Sequence, residues 1–145
     1  MPPTFVHCHL HSEFSLSDST IRIPELVQRC AELGMPAVAL TDNCNLFALV
    51  KFFKAAESAG IKPIAGADLF LESGQSGTYR ITALCQNHQG FLSLSRLISR
   101  AYLEGHQNEI PVIKAEWLFA DNEGLIILQG RHSPLAHLIQ QVDNP

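Results

Sequence analysis

The chain has 145 residues, 46% of them hydrophobic, and its formal net charge is −4 at pH 7. This composition excludes a disordered chain, and the acidic balance argues against a free-standing DNA-binding surface, which needs clustered Lys and Arg to displace counterions from phosphates. The length fits one ordinary domain or a part of a larger protein. Residues 133–142 predict a helix that stops at Asp143-Asn144-Pro145 without a tail, which favours a part of a larger protein.

Three histidines alternate near the N-terminus, in the run FVHCHLH. A strand turns successive side chains to opposite faces, so this spacing predicts that His7, His9 and His11 share one face. Neutral imidazoles bind zinc, iron or manganese, and Glu13 or Asp18 would complete a mixed nitrogen and oxygen shell. The run therefore predicts a metal-type site; the alternative is a His-rich strand end on a polar surface.

Helix and strand patterns alternate through the rest of the chain. Pro24 in a first turn, apolar residues at helical spacing and a stop at Gly34 predict one helix. The next predicted elements are a strand buried on both faces over residues 36–40, a helix over 45–59, and a strand over 61–71. After a turn at 74–77 come a strand over 79–86, a helix over 89–103, a helical turn around Trp117, and a buried strand over 124–129.

This alternation predicts an α/β fold with a parallel sheet and right-handed crossovers, either doubly wound or closed as a barrel. In both architectures functional groups gather at the carboxyl ends of the strands, which is where His11, Asp42 and Asp68 fall. The four cysteines form no C-x-x-C pair, and no secretory signal or membrane-spanning run is visible. We therefore expect reduced, mostly buried thiols in a cytoplasmic protein without a membrane partner.

Several runs of this sequence resemble a known family. FVHCHLHSEFSLSDS and ALTDNCNLFALVKFFKAAESAGIKPIAGAD resemble the start of the polymerase and histidinol phosphatase (PHP) domain, in the version found in bacterial DNA polymerase III alpha subunits. FLSLSRLISRAYLEGH and EGLIILQG fit the same version, so the resemblance covers essentially the whole chain. It implies that residues 1–145 are the N-terminal part of a PHP domain, with the fold of a distorted (β/α)7 barrel whose strands are mostly parallel.

The resemblance also implies a metal site. Intact members bind up to three metals and can hydrolyse phosphate esters. His9 and His11 match the first pair of ligands, Asp18 matches the acidic residue of the following loop, and Asp42 matches the aspartate of a T-D-H motif. Asp68 stands where the family usually has glutamate.

Three further positions depart from the intact pattern. Asn43 replaces the imidazole of T-D-H, Arg80 takes the place of a histidine ligand, and Arg131 takes the place of a cysteine ligand. Arginine has no lone pair for a metal and its fixed charge repels one, so the arginines are expected to pair with Asp18, Asp42 or Asp68. We expect a vestigial site that holds zinc or manganese weakly or not at all, and no catalytic residue in this chain.

The functional expectation is therefore a scaffold and docking region of a replicative DNA polymerase. The resemblance implies three partners: the remainder of the polymerase chain, a proofreading exonuclease subunit, and DNA bound through other domains, with the Mg²⁺ of the polymerase site outside this chain. The alternatives are an active metal-dependent phosphoesterase or proofreading exonuclease of the PHP superfamily, and an error-prone polymerase paralogue.

The remaining histidines and the aromatic residues have simpler interpretations. His88, His106, His132 and His137 are expected at the surface, with His132 at the rim of the pocket as the strongest exception. Phe47, Phe52, Phe53 and Trp117 are expected in the core or at a contact between subdomains, since no basic charge is interleaved with them. Cys44 is either a stray metal ligand or a buried thiol.

Overall fold

The computed structural model describes residues 5–73 and 77–129. These residues form helices packed on a mixed sheet, which confirms the predicted α/β class. The elements, in chain order, are a 3₁₀ helix (Glu13–Asp18), α1 (Ile23–Glu32), β1 (Ala37–Leu40), α2 (Leu49–Ser58), β2 (Lys62–Ser73), β3 (Gly77–Cys85), α3 (His88–Glu104), β4 (His106–Gln107), β5 (Ile110–Ile113), α4 (Ala115–Ala120) and β6 (Leu125–Gln129).

The first part of the sheet is parallel, as the alternation of elements predicts. All four residues of β1 are buried, and β1 pairs in parallel with the first residues of β2, from Lys62 to Ala65. Apolar side chains at helical spacing on α1 and α2 pack with Val38 and Leu40 of β1 in one core cluster. Burial of these faces stabilises the unit by about 25 cal/mol for each Å² of apolar surface removed from water.

The second part of the sheet departs from the all-parallel expectation. From Gly66 onward β2 pairs antiparallel with β3, and β3 pairs antiparallel with β6, while β5 joins β2 in parallel. The reason is the length of the connection after β2, because a parallel crossover needs a dozen or more residues and a hairpin needs only a few. α3 packs on this part of the sheet through Leu94, Leu97 and Ala101.

The N-terminal segment runs beside β1 but is not a regular strand. Ala39 N donates to His7 O at 2.8 Å, and Thr41 N donates to Leu10 O at 2.8 Å. The two-residue step from Ala39 to Thr41 thus lies opposite a three-residue step from His7 to Leu10, so the segment has one extra residue, as in a β-bulge. The extra residue interrupts the strict alternation that the H-x-H-x-H spacing predicts, and the only bridge assigned to the segment within the described residues is His7 with Val38.

Two element boundaries differ from the sequence prediction. α2 begins at Leu49 instead of residue 45, because the Asn45 side chain binds its own loop: Nδ2 donates to Asn43 O at 3.0 Å, and Oδ1 accepts from Phe47 N at 3.2 Å. β6 is not buried on both faces, since Ile126 is 42% exposed. The short strands β4 and β5 were not predicted.

Most of the simpler residue predictions are confirmed. His88 and His106 are exposed, and Phe52 and Trp117 are core residues, but Phe47 is 74% exposed. All four cysteines are free, and Cys44 is a buried thiol whose pKa burial raises to about 12. His132 and His137 lie outside the described residues. In the part of the chain that the structure describes, no helix is long and apolar enough to cross a membrane.

Candidate metal centre

Asp68 is the centre of the candidate site. It lies in the middle of β2, its side chain is fully buried, and it stands opposite Thr82 in the register of β2 with β3. Thr82 Oγ1 donates a 2.6 Å hydrogen bond to Asp68 Oδ1. This bond orients the carboxylate so that the other oxygen, Oδ2, meets the histidines of the N-terminal segment.

His9 and His11 converge on that oxygen. The Nε2 atoms of His9 and His11 lie 2.8 Å and 2.7 Å from Asp68 Oδ2. One ligand atom from each of the three residues lies within 4.8 Å of the others, and two imidazoles with one carboxylate are a donor set that suits a divalent transition metal. His7 does not belong to this group, and its ring contacts the ring of Phe5 at a centroid distance of 4.8 Å.

Asp18 is held at the edge of this group by two donors. His11 Nδ1 lies 2.7 Å from Asp18 Oδ2, and Asn43 Nδ2 donates to the same oxygen at 2.8 Å. These hydrogen bonds, first from Asn43 and then from His11, lower the pKa of Asp18. Asn43 Oδ1, by contrast, is buried without a hydrogen-bond partner among the described residues.

Arg80 approaches both carboxylates from β3. Its Nε lies 4.0 Å from Asp68 Oδ2, and Nη1 lies 3.9 Å from Asp18 Oδ2. The guanidinium also lies 5.5 Å from the centre of the Phe70 ring, the residue opposite Arg80 in the register. A fixed positive charge thus lies next to two of the candidate ligands.

Asp42 is placed elsewhere. Its Oδ1 accepts hydrogen bonds from Ser12 N and Ser15 Oγ at 2.6 Å each, and its Oδ2 accepts from Ser12 Oγ at 2.7 Å. Asp42 is 2% exposed, so three donors satisfy a buried carboxylate. In this arrangement Asp42 fixes the loop that begins the 3₁₀ helix and does not belong to the His9, His11 and Asp68 group.

The sequence analysis did not predict three residues of this site: Ser12, Ser15 and Thr82. Thr82 could have been predicted, because it is two residues from Arg80 in a strand and must share its face. The two serines could not have been predicted from the local sequence, since their partner Asp42 is 30 and 27 positions away in the chain. Glu13, the other carboxylate considered from the sequence, lies 3.6 Å from Lys51 Nζ instead.

Comparison with known proteins places the chain in a family. Residues 7–143 match the PHP domain family. The chain belongs to the PHP domain family. Similar curated proteins are the DNA polymerase III subunits alpha of Xylella fastidiosa (48% identity over 94% of this chain), Vibrio cholerae (47% over 90%) and Escherichia coli K12 (45% over 88%). The matches cover 13%, 12% and 11% of those proteins, so the chain spans about an eighth of their length.

Solved structures with a similar fold share less sequence. An amidohydrolase from Chromobacterium violaceum, described with bound sulfate and no metal, matches 66% of this chain and 32% of its own at a TM-score of 0.54 and 24% identity. A protein from Bifidobacterium adolescentis described as a metal-dependent phosphoesterase matches 70% of this chain and 34% of its own at a TM-score of 0.52 and 20% identity. At this identity the likeness concerns the fold alone.

The PHP site of this chain can hold either a proton network or a metal. An ionised carboxylate only accepts hydrogen bonds, so each imidazole nitrogen that is hydrogen-bonded to Asp68 Oδ2 must carry a proton. A nitrogen that donates a proton has no lone pair for a cation. The observed hydrogen bonds and a coordinated metal at the same three atoms are therefore mutually exclusive states.

The charge of Arg80 weakens a metal at this PHP site without forbidding it. A unit charge about 4 Å from a divalent ion costs about 2 kcal/mol in bulk water and about 8 kcal/mol at an effective dielectric of about 20. Arg80 is 44% exposed but Asp68 is fully buried, so the cost lies between these two values. Asn43 and Arg80 add no imidazole to the donor set of His9, His11 and Asp68. Arg131, which the resemblance predicts in place of a cysteine ligand, lies outside the described residues.

Proposed function

We propose that residues 1–145 are the N-terminal part of the PHP region of a bacterial DNA polymerase III alpha subunit. The support is the identity of 45–48% with three such subunits over about nine tenths of the chain. The complete protein would copy a DNA template during chromosome replication in the cytoplasm, with its polymerase site and Mg²⁺ in domains beyond this chain.

Within that protein we assign this region the role of a scaffold. The observation that carries the assignment is the side-chain network around Asp68, in which Asn43 and Arg80 donate to or pair with carboxylates instead of binding a cation. The network joins the N-terminal segment, the 3₁₀ helix, the end of β1, and strands β2 and β3. Hydrogen bonds and ion pairs thus connect these segments to one another.

The partners of the scaffold follow from the same proposal. They are the remainder of the polymerase chain, which binds DNA through its other domains, and a separate proofreading exonuclease subunit. Deleting residues 1–145 from the full-length protein tests the role. We expect loss of stability, of polymerisation and of exonuclease binding; a deleted protein that keeps all three would contradict it.

Metal analysis tests the vestigial site directly. After dialysis against zinc or manganese and removal of free metal, we expect less than one ion per chain at the PHP site and no hydrolysis of a phosphate monoester. Polymerase activity is measured in parallel with Mg²⁺, so that a failure of the polymerase assignment is separated from a failure of the scaffold assignment.

A metal-dependent phosphoesterase is the second candidate, and the three converging ligand atoms of His9, His11 and Asp68 favour it. Three protein ligands and an open position are the arrangement of many catalytic metal sites. This candidate predicts bound zinc or manganese and hydrolysis that His9→Ala abolishes. The matched control is His7→Ala, which changes a neighbouring histidine that contacts Phe5 and not the ligand group.

A further inference from the structure

The backbone of Leu16 has a conformation that glycine normally adopts. Its φ is 53° and its ψ is −111°, inside the 3₁₀ helix Glu13–Asp18. A residue with a Cβ avoids this region, which is typical of the first central residue of a type II′ turn, usually a glycine. Leu16 is also 82% exposed, so packing of its side chain on the described residues does not offset the strain.

Within the described residues, the other non-glycine positions with a positive φ have an explanation in the fold. Asn108 and Glu109 form the two-residue turn between β4 and β5, and the common turn of this length needs a positive φ at both positions. Cys44 is buried in the core cluster of β2 and α3, where its packing contributes to stability. Leu16 has neither a hairpin nor a buried side chain, so the origin of its strain lies in the contacts of its neighbours.

Leu16 lies between two anchored residues. Before it, Ser15 Oγ donates to Asp42 Oδ1 at 2.6 Å. After it, Asp18 Oδ2 lies 2.7 Å from His11 Nδ1. Only residues 16 and 17 connect these two anchors, so the chain between them has little freedom to avoid the strained region. The hydrogen bonds of the anchors offset the strain of the backbone.

The anchor at Asp18 also occupies a ring nitrogen of His11. Nδ1 of His11 faces Asp18 and Nε2 faces Asp68, each at 2.7 Å, and the side chain of His11 is 10% exposed. Asp68 is fully buried in the middle of β2, whereas Asp18 is 42% exposed and lies at the end of the 3₁₀ helix. Glu13 N donates to Ile21 O at 2.8 Å, which closes the segment at its base, as in an Ω-loop. Asp18 can therefore leave His11 without disturbing the sheet.

We propose that residues 13–21, which we call the Leu16 loop, control access to His11 in the candidate metal centre. In the closed state, which the structure shows, Asp18 binds His11 and Leu16 is strained. In the open state, Asp18 leaves His11, Leu16 relaxes to an ordinary backbone conformation, and Nδ1 of His11 faces solvent. The hydrogen bonds of Asp18 favour the closed state, and the strain raises the population of the open state. The loop does not depend on the proposed scaffold role, because its contacts lie within the described part of the chain.

Labelling of the full-length protein with diethyl pyrocarbonate tests the proposal. This reagent modifies an imidazole nitrogen whose lone pair is free, and tandem mass spectrometry reads the rate at each histidine. In Leu16→Gly the strain of the closed state disappears, so we expect His11 to be labelled severalfold more slowly than in the parent. Leu16→Ala is the matched control, because it removes the exposed side chain but keeps the Cβ, and its His11 rate should equal that of the parent. Equal rates in Leu16→Gly and Leu16→Ala overturn the proposal.

Further variants test the anchor at Asp18. Asp18→Ala removes it, so we expect labelling of His11 to become severalfold faster, and Leu16→Gly added to Asp18→Ala should no longer slow it. If Leu16→Gly slows labelling by the same factor with and without Asp18, the anchor does not cause the strain and the proposal is wrong. His88, which is exposed on α3, is the reference to which each rate is normalised.

Ser17→Gly controls for the flexibility that any glycine adds to the Leu16 loop. Ser17 is exposed and has no positive φ, so this variant should not slow the labelling of His11. A slowing equal to that in Leu16→Gly refutes the proposal. Polymerisation by the parent is assayed separately: a parent that does not polymerise refutes the proposed function, while its labelling pattern still decides whether the Leu16 loop opens.

Discussion

Asn43 donates a hydrogen bond of 2.8 Å from Nδ2 to Asp18 Oδ2. The amide of Asn43 therefore immobilises a neighbouring carboxylate, which His11 also binds. Asp18, which the resemblance predicts to be a metal ligand, is in this way bound by two protein groups.

Restoring two imidazoles should restore metal binding. In the double variant Asn43→His with Arg80→His, the positive charge near Asp68 is removed and two lone pairs are added, so we expect the zinc content after dialysis to rise severalfold. Elemental analysis of the purified protein checks this. Arg29→His, at an exposed position of α1, is the control and should bind no additional zinc. Equal zinc in the double variant and the parent would refute the vestigial-site interpretation.

Thr82 should be important for stability although it binds no ligand. Thr82→Val keeps the shape of the side chain but removes the 2.6 Å hydrogen bond to the buried carboxylate of Asp68. Leaving a buried charged acceptor with one donor fewer costs about 1–3 kcal/mol of unfolding free energy. Urea unfolding of the chain measures it. Thr78→Val, an exposed position on the same strand, should change stability by less than about 0.5 kcal/mol.

Ser12 and Ser15, which bind Asp42, should also contribute to the free energy of unfolding. Ser12→Ala removes a donor to Asp42 and also the acceptor for Phe14 N at 3.2 Å, so we expect a loss of about 1–3 kcal/mol. Ser15→Ala removes one donor to the same carboxylate. Ser17→Ala, which is exposed, serves as the comparison in the same unfolding experiment. Equal stabilities of all three variants would show that Asp42 does not depend on these hydroxyls.

Gly105 should tolerate no side chain. A Cβ at this position would overlap the carbonyl group of Val112 on β5, where Val112 N also donates to Gly105 O at 3.0 Å. We expect Gly105→Ala to lower the unfolding free energy by about 1–3 kcal/mol, since backbone atoms must shift. Gly77→Ala is the control, because nothing lies within 4 Å of the Cβ built there. Thermal or urea unfolding of both variants checks the difference.

The pair of Arg96 and Asp121 should make stability depend on acid. Arg96 donates from Nε and Nη2 to the two Asp121 oxygens at 2.6 Å each, and these bonds lower the pKa of Asp121 from 3.8. Because the folded-state pKa is lowered, the stabilisation is fully present above pH 3.8 and is lost as the pH falls through the folded value.

The corresponding variant is Asp121→Asn. At pH 6 we expect it to cost about 0.5–1 kcal/mol, because Arg96 is half exposed and water screens the pair. As the pH falls below 3.8 the difference from the parent should shrink towards zero. Urea unfolding at a series of pH values measures this. Glu116→Gln on α4 is the control, and a difference for Asp121→Asn that stays constant with pH would contradict the ion-pair explanation.

Much of the fold followed from local patterns. Apolar spacing, Pro24 and Gly34 predicted α1, and a continuous apolar run predicted β1; α3 and the helical turn around Trp117 were also predicted. The pairing of β2 with β3 was harder to predict, because hydrophobic periodicity shows that a segment is a strand but not which direction its neighbour takes. The start of α2 was missed because one side chain, that of Asn45, competes with the helix for backbone groups.

For the site, the sequence alone determined which chemical groups are available: the H-x-H pair, the carboxylates of Asp18 and Asp68, the amide of Asn43 and the guanidinium of Arg80. Only the tertiary structure determined which side chains contact each other. In it, Asp42 binds Ser12 and Ser15, Asp68 binds both imidazoles and Thr82, and Asn43 binds Asp18. The physical reason is that hydrogen bonds depend on distances of a few tenths of an ångström between residues far apart in the chain, and only packing sets such distances.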